Sequence, residues 1–192
     1  GDKAENIEFA LAAYQQALSV RTKDAFPTEW AQLQQNLGIA YDNAENIELA
    51  LVAYEQALSV YTKEAFPIYW AMTQYNLSGT YISRIRGDKA ENLELALTAC
   101  EKALEVFTKE AFPNYWARVQ NSLGNAYLFR IRGDRAENLE SAIVAYERAL
   151  EVYTKEAFPN YWAGIQNNLA NTYNERIRGD AAKNLEKALA IH

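Results

Sequence analysis

One cysteine, Cys100, and one histidine, His192, are all the sequence offers of the residue types that build disulfide frameworks and most zinc sites. An intrachain disulfide is excluded, and no His/Cys cluster remains to hold a metal. Clustered positive charge is also scarce, since 19 Lys and Arg stand against 25 Asp and Glu for a net charge of −6. Nucleic-acid binding normally needs a basic face, so that partner class is set aside. Long apolar runs are missing too. The longest uncharged stretch, residues 65 to 83, carries Pro67, Gln74, Asn76 and several hydroxyls and is too polar to cross a bilayer. No charged-then-apolar leader begins the chain. The expectation is a soluble, cytoplasmic protein with no membrane partner and no cofactor.

Proline and tryptophan are rare, and their positions are informative. The four prolines, Pro27, Pro67, Pro113 and Pro159, all end an Ala-Phe-Pro string and lie 40, 46 and 46 residues apart. Three residues after each comes one of the four tryptophans, Trp30, Trp70, Trp116 and Trp162. The chain is therefore a single array, residues 1–192, of repeats bounded near those prolines. Within a repeat the apolar spacing is helical. Trp116, Val119, Leu123 and Tyr127 fall three or four apart, as do Leu139, Ala142, Ala145, Tyr146, Ala149, Leu150 and Tyr153. Each repeat is read as two antiparallel helices, A and B, with Ala-Phe-Pro closing B, because proline disfavours helix in the residue before it and suits the first turn of the next.

The other corner is the string Arg-Ile-Arg-Gly-Asp, at residues 84–88, 130–134 and 176–180. It contains the Arg-Gly-Asp tripeptide of adhesive ligands, yet every residue already has a local task. The arginines meet the negative end of helix A, the glycine makes a left-handed stop, and the aspartate caps helix B, with Glu91 or Glu137 three residues on. A helix corner is the reading, and an adhesion ligand is not. The first repeat lacks this corner and is six residues shorter. The arginine pairs 84/86, 130/132 and 176/178 form a basic ridge that is a candidate contact for an acidic partner.

At this level the sequence resembles the tetratricopeptide repeat family, whose signature is W-x2-L-G-x2-Y followed by A-x3-F and P. Leu37, Gly38 and Tyr41 match the first half, and Ala50, Tyr54, Ala57 and Leu58 the second. Leu77, Tyr81, Ala96, Cys100 and Ala103 follow in the next repeat, and Leu123, Gly124, Tyr127, Ala142, Tyr146 and Ala149 in the third. Ser78 and Ala170 replace the signature glycine, and the tryptophan lies one turn early. The long repeats are similar to arrays of kinesin light chains and of large bacterial signalling proteins joined to CHAT peptidase or NTPase modules. The resemblance implies an all-α, right-handed solenoid. Counting helices gives about nine, in an array that reads as a segment of a longer protein.

The family places helix A on the concave groove and helix B on the convex back. Its groove positions imply a candidate peptide-binding set of Gln35, Asn36, Met72, Tyr75, Asn76, Asn121, Asn125, Asn167, Asn168 and Asn171, with Arg118 the only charge in the body of the third A helix. An asparagine amide donates and accepts, so a ladder of them can hold an extended peptide backbone. Lysine and arginine do not occupy the positions with which chaperone-binding members clamp terminal carboxylates. A protein-interaction scaffold binding an extended, largely neutral peptide is the functional expectation. The alternatives are a self-assembling segment stacking through repeat ends, or a regulatory arm of a fused signalling enzyme. No nucleophile stands beside a base and no carboxylate pair reads as catalytic, so no enzyme is expected.

Overall fold

The structure, a computed structural model, describes residues 2–176 and 181–191, and for 181–184 and 191 only the helical backbone. Each A helix begins at its proline: α2 (Pro27–Asn43), α4 (Pro67–Ser83), α6 (Pro113–Phe129) and α8 (Pro159–Glu175). The B helices are α1 (Lys3–Val20), α3 (Ile47–Leu58), α5 (Lys89–Leu104), α7 (Arg135–Leu150) and α9 (Ala181–Ile191). Nine helices and no strand are found among the described residues, an all-α solenoid.

The Ala-Phe-Pro corner is built identically each time. At its second occurrence Thr62 Oγ1 accepts from the Ala65 N–H at 3.2 Å, and the Thr62 carbonyl accepts from the Phe66 N–H at 2.9 Å. Phe66 leaves the helical region, at φ −138° and ψ 59°, and Pro67 opens α4 where its missing N–H is not needed. In the last three corners an aromatic residue three positions beyond the end of helix B then locks the turn. Tyr61, Phe107 and Tyr153 are buried, and each stacks on the tyrosine of the next A helix, with centroids 4.9 Å apart for Tyr61–Tyr69 and 4.7 Å for Phe107–Tyr115 and Tyr153–Tyr161. The tryptophans are half-buried beside this cluster, each with a lysine over its ring, as Lys109 lies 5.7 Å from the Trp116 centroid.

The Arg-Gly-Asp corner holds as a corner. Gly87 and Gly133 take φ +78° and +81°, the left-handed region that a β-carbon penalises. Asp88 then accepts from the Ala90 N–H at 2.8 Å, and Asp134 from the Glu137 N–H at 2.9 Å. Residues 177–180 of the third copy, and His192, lie outside the described residues. In the short first repeat the left-handed stop falls to Glu45, at φ 58°.

The basic ridge needs correction. Arg84 grips Glu48 with two bonds of 2.9 and 2.7 Å, Arg130 grips Glu94 with two of 2.8 Å, and Arg176 grips Glu140 with 2.7 and 3.1 Å. Each arginine closes A of one repeat onto B of the repeat before it. The paired guanidiniums hold Glu48 and Glu94 below the usual carboxylate range, chiefly through those bonds. Arg84, Arg130 and Arg176 are thus spent on holding repeats together, whereas Arg86 and Arg132 lie exposed in the corners and residue 178 lies outside the described residues.

Small residues let the layers approach. Ala31, Ala71 and Ala117 on the A helices, and Ala50, Ala96 and Ala142 on the B helices, have no exposed surface. Successive A helices touch one another, α2 to α4, α4 to α6 and α6 to α8, whereas no pair of successive B helices does so among the described residues. The A helices therefore form the inner curve of the array and the B helices its outer one.

Candidate binding groove

An open groove of about 1030 Å³ runs from the first corner and the start of α3, across the C-terminal halves of α2 and α4, to the edge of α6. Ile39, Tyr75, Asn76, Gly79 and Ser122 line its floor, with Asp42, Asn43 and Arg86 among the residues of its wall. Gly79 faces open space, with nothing within 4 Å of where a β-carbon would be. Two of the expected candidates, Tyr75 and Asn76, line the groove, whereas Met72 packs one turn away against the core between α4, α5 and α6.

Other candidates are already engaged within the array. Gln35 is 1% exposed and donates to Thr73 Oγ1 at 3.0 Å, which turns it into a tie between α2 and α4 instead of a groove surface. Asn36 accepts from Gln32 at 3.5 Å along its own helix. Asn125 departs most from a free ladder rung: its Oδ1 accepts from the Tyr146 hydroxyl at 2.7 Å and from Asn168 Nδ2 at 3.2 Å. Asn167 and Asn171 are exposed on α8, and Asn121 is half-buried with Oδ1 shielded from solvent and without a hydrogen-bond partner. The amide row is thus mixed. Two rungs are free, one is half-free, and Asn125 with Asn168 forms a cross-link between α6 and α8.

Arg118, on the inner face of α6, donates from Nη2 to the Tyr161 hydroxyl of α8 at 2.9 Å, with its guanidinium carbon 5.6 Å from that ring's centroid. Burial pushes Tyr75 above the ordinary phenol range, and the positive charge of Arg118 acts against that shift.

Two groove residues went unnoticed in the sequence reading. Asp42 receives the Tyr54 hydroxyl at 2.8 Å and Thr80 Oγ1 at 2.8 and 3.0 Å, so it clasps α2 to α3 and α4. Burial raises its carboxyl above the usual range, and those two hydrogen bonds oppose the rise. Tyr161 is the second. A signal existed, because Tyr161 lies 43 residues beyond Arg118, just under one repeat, and side chains at that offset meet across neighbouring A helices.

The fold agrees with the comparisons. The family model described as tetratricopeptide repeat matches residues 162–192. Among solved structures, MamA is 18% identical with a TM-score of 0.62, covering 100% of this chain and 95% of that one. A MamA fragment from Desulfovibrio magneticus RS-1 is 19% identical with a TM-score of 0.58, covering 100% and 94%. YrrB, described as a TPR protein with an unusual peptide-binding site, is 21% identical with a TM-score of 0.60, covering 98% and 79%. No curated protein sequence matches the chain. The chain has the fold of a tetratricopeptide-type array of helical repeats.

Proposed function

We propose that this array is a protein-interaction scaffold that holds an extended peptide or partner segment along the inner face of its A helices. The observation that carries the reading is the groove of about 1030 Å³ across α2, α4 and the edge of α6, where Ile39, Tyr75, Asn76, Gly79 and Ser122 are neutral, Asp42, Glu45, Glu48 and Arg86 bring charge at the corner end, and Gly79 is left open. Backbone groups of a bound strand would meet Asn76, Asn121, Asn167 and Asn171, whose amides can serve either polarity of peptide group. Asn125 and Asn168 set the spacing of α6 and α8, so they act on binding by position. A TPR protein of similar fold has a peptide-binding site, and that likeness favours the same use here. The array is read as a docking arm of a larger signalling protein and not as a catalyst.

The test is a block of the groove. Gly79→Trp places a ring where an added β-carbon meets nothing within 4 Å, and Val52→Trp places the same ring on the outer face of α3, where Val52 is exposed. Peptides selected from a random display library on the wild type should lose at least about tenfold in affinity for Gly79→Trp, the equivalent of roughly 1.4 kcal/mol, and none for Val52→Trp. Equal binding by both variants would place the contact elsewhere.

A further inference from the structure

Ion pairs among the described residues engage Arg84, Arg130, Arg135, Arg176, Lys63 and Lys109. Arg118 belongs to none of them, and its side-chain bond goes to a neutral phenol. A guanidinium has five donors in a planar fork that matches a carboxylate with two parallel bonds. One donor of Arg118 is used by Tyr161, and that bond, with the ring beside it, holds the fork in place. Tyr161 is itself fixed, stacked at 13° on Tyr153, whose hydroxyl donates to the Asn114 carbonyl at 2.9 Å. The positive group is therefore pre-positioned on the inner curve with most of its hydrogen-bonding capacity unspent.

A second unspent group lies beside it. Asn121 is one turn along the same face of α6, and its shielded Oδ1 has no hydrogen-bond partner. Leaving that acceptor unpaired is unfavourable, and a rotation of the side chain that turns it outward would offer it to a peptide N–H. A segment that offers an N–H to Asn121 and a carboxylate to Arg118 satisfies both at once.

We infer that Arg118 selects the partner: it anchors one side-chain carboxylate, Asp or Glu, of the extended segment, with Asn121 taking a neighbouring backbone N–H. The inference rests on the groove reading above and refines it from a neutral segment to one with a single acidic anchor. A side chain is favoured over a chain terminus because inner-face positions continue on both sides of Arg118, toward Tyr75 on α4 and toward Asn167 and Asn171 on α8. A strand would run through this point and not end there.

The experiment is selection of a random peptide display library on wild type and on Arg118→Gln in parallel, followed by titration of synthetic peptides. Wild-type selections should share one acidic position that Arg118→Gln selections lack. Replacing that residue by Gln or Asn in the peptide should weaken wild-type binding by roughly ten- to a hundredfold, as expected for a charge-assisted bond, and leave binding to Arg118→Gln unchanged. Arg118→Lys should keep part of the preference, which separates charge recognition from a simple tie between α6 and α8, since a tie alone would alter melting but not acid preference. If amidating the peptide's C-terminus removes binding while the internal acid is dispensable, the side-chain assignment is overturned. Peptides bound equally by both proteins with no acidic position would sink the inference and spare the groove, whereas selections blind to Gly79→Trp would sink the groove reading itself.

Discussion

The ring of Tyr146 fills the space above Gly124, so that a β-carbon there would lie 2.5 Å from Cε1. Gly38 and Tyr54 repeat the relationship at 2.5 Å. In the second repeat both partners change together: Ser78 replaces the glycine and the small, fully buried Cys100 replaces the tyrosine. Gly124→Ala should destabilise by about 1–3 kcal/mol through overpacking, outweighing the roughly 1 kcal/mol that alanine gains in a helix. Gly124→Ser combined with Tyr146→Cys should be more stable than the two single changes added together. Chemical denaturation of the four proteins in the cycle measures this, and strict additivity would contradict the pairing.

At the Arg-Gly-Asp corner the prediction follows from backbone geometry. Gly133→Ala should lower stability by about 1 kcal/mol, because φ +81° penalises any side chain. Gly164→Ala, on α8 with nothing within 4 Å, should not lower it. Thermal melts of the two variants give the comparison.

The clasp between Arg130 and Glu94 makes stability depend on pH. Because the guanidinium lowers the Glu94 pKa in the folded state, its contribution is present above the usual 4.5 and is lost as pH falls through the lowered folded value. The difference in melting temperature between wild type and Glu94→Gln should therefore be full at neutral pH and shrink in that acidic window. A difference that grows on acidification would contradict the assignment.

Cys100 should be inert toward thiol reagents in the folded protein. Burial pushes its thiol up to about 12, with the Ser78 hydrogen bond opposing, and the residue has no exposed surface. Labelling should track unfolding in denaturant. Rapid labelling under native conditions would show that α5 opens locally.

The fold was legible because its punctuation is rare. Four prolines, each followed three residues on by a tryptophan, at spacings of 40, 46 and 46 residues set the starts of the A helices, and glycine before aspartate set the corners after α4 and α6. The groove was legible only as a face. Position along a helix says which side chains turn inward, and Tyr75 and Asn76 do line the groove. It does not say which are taken by a neighbour one repeat away. Gln35 and Asn125 look like free amides in sequence, yet Thr73 and Tyr146 bind them, and both partners come from other helices. The same blindness hid Asp42, whose partners Tyr54 and Thr80 lie 12 and 38 residues on. It also made the first arginine of each ridge pair look free, since Glu48, Glu94 and Glu140 precede Arg84, Arg130 and Arg176 by 36 residues.

The most direct test of the account is a side-chain and backbone amide map by nuclear magnetic resonance, recorded while a library-selected peptide is added to the wild-type array. The account predicts that the largest shifts fall on Asn76, Asn121, Asn167 and Asn171 and on the backbone of α4, α6 and α8. Shifts gathered instead on the outward residues of α3, α5 and α7, Val52, Leu95 and Val144 among them, would contradict it.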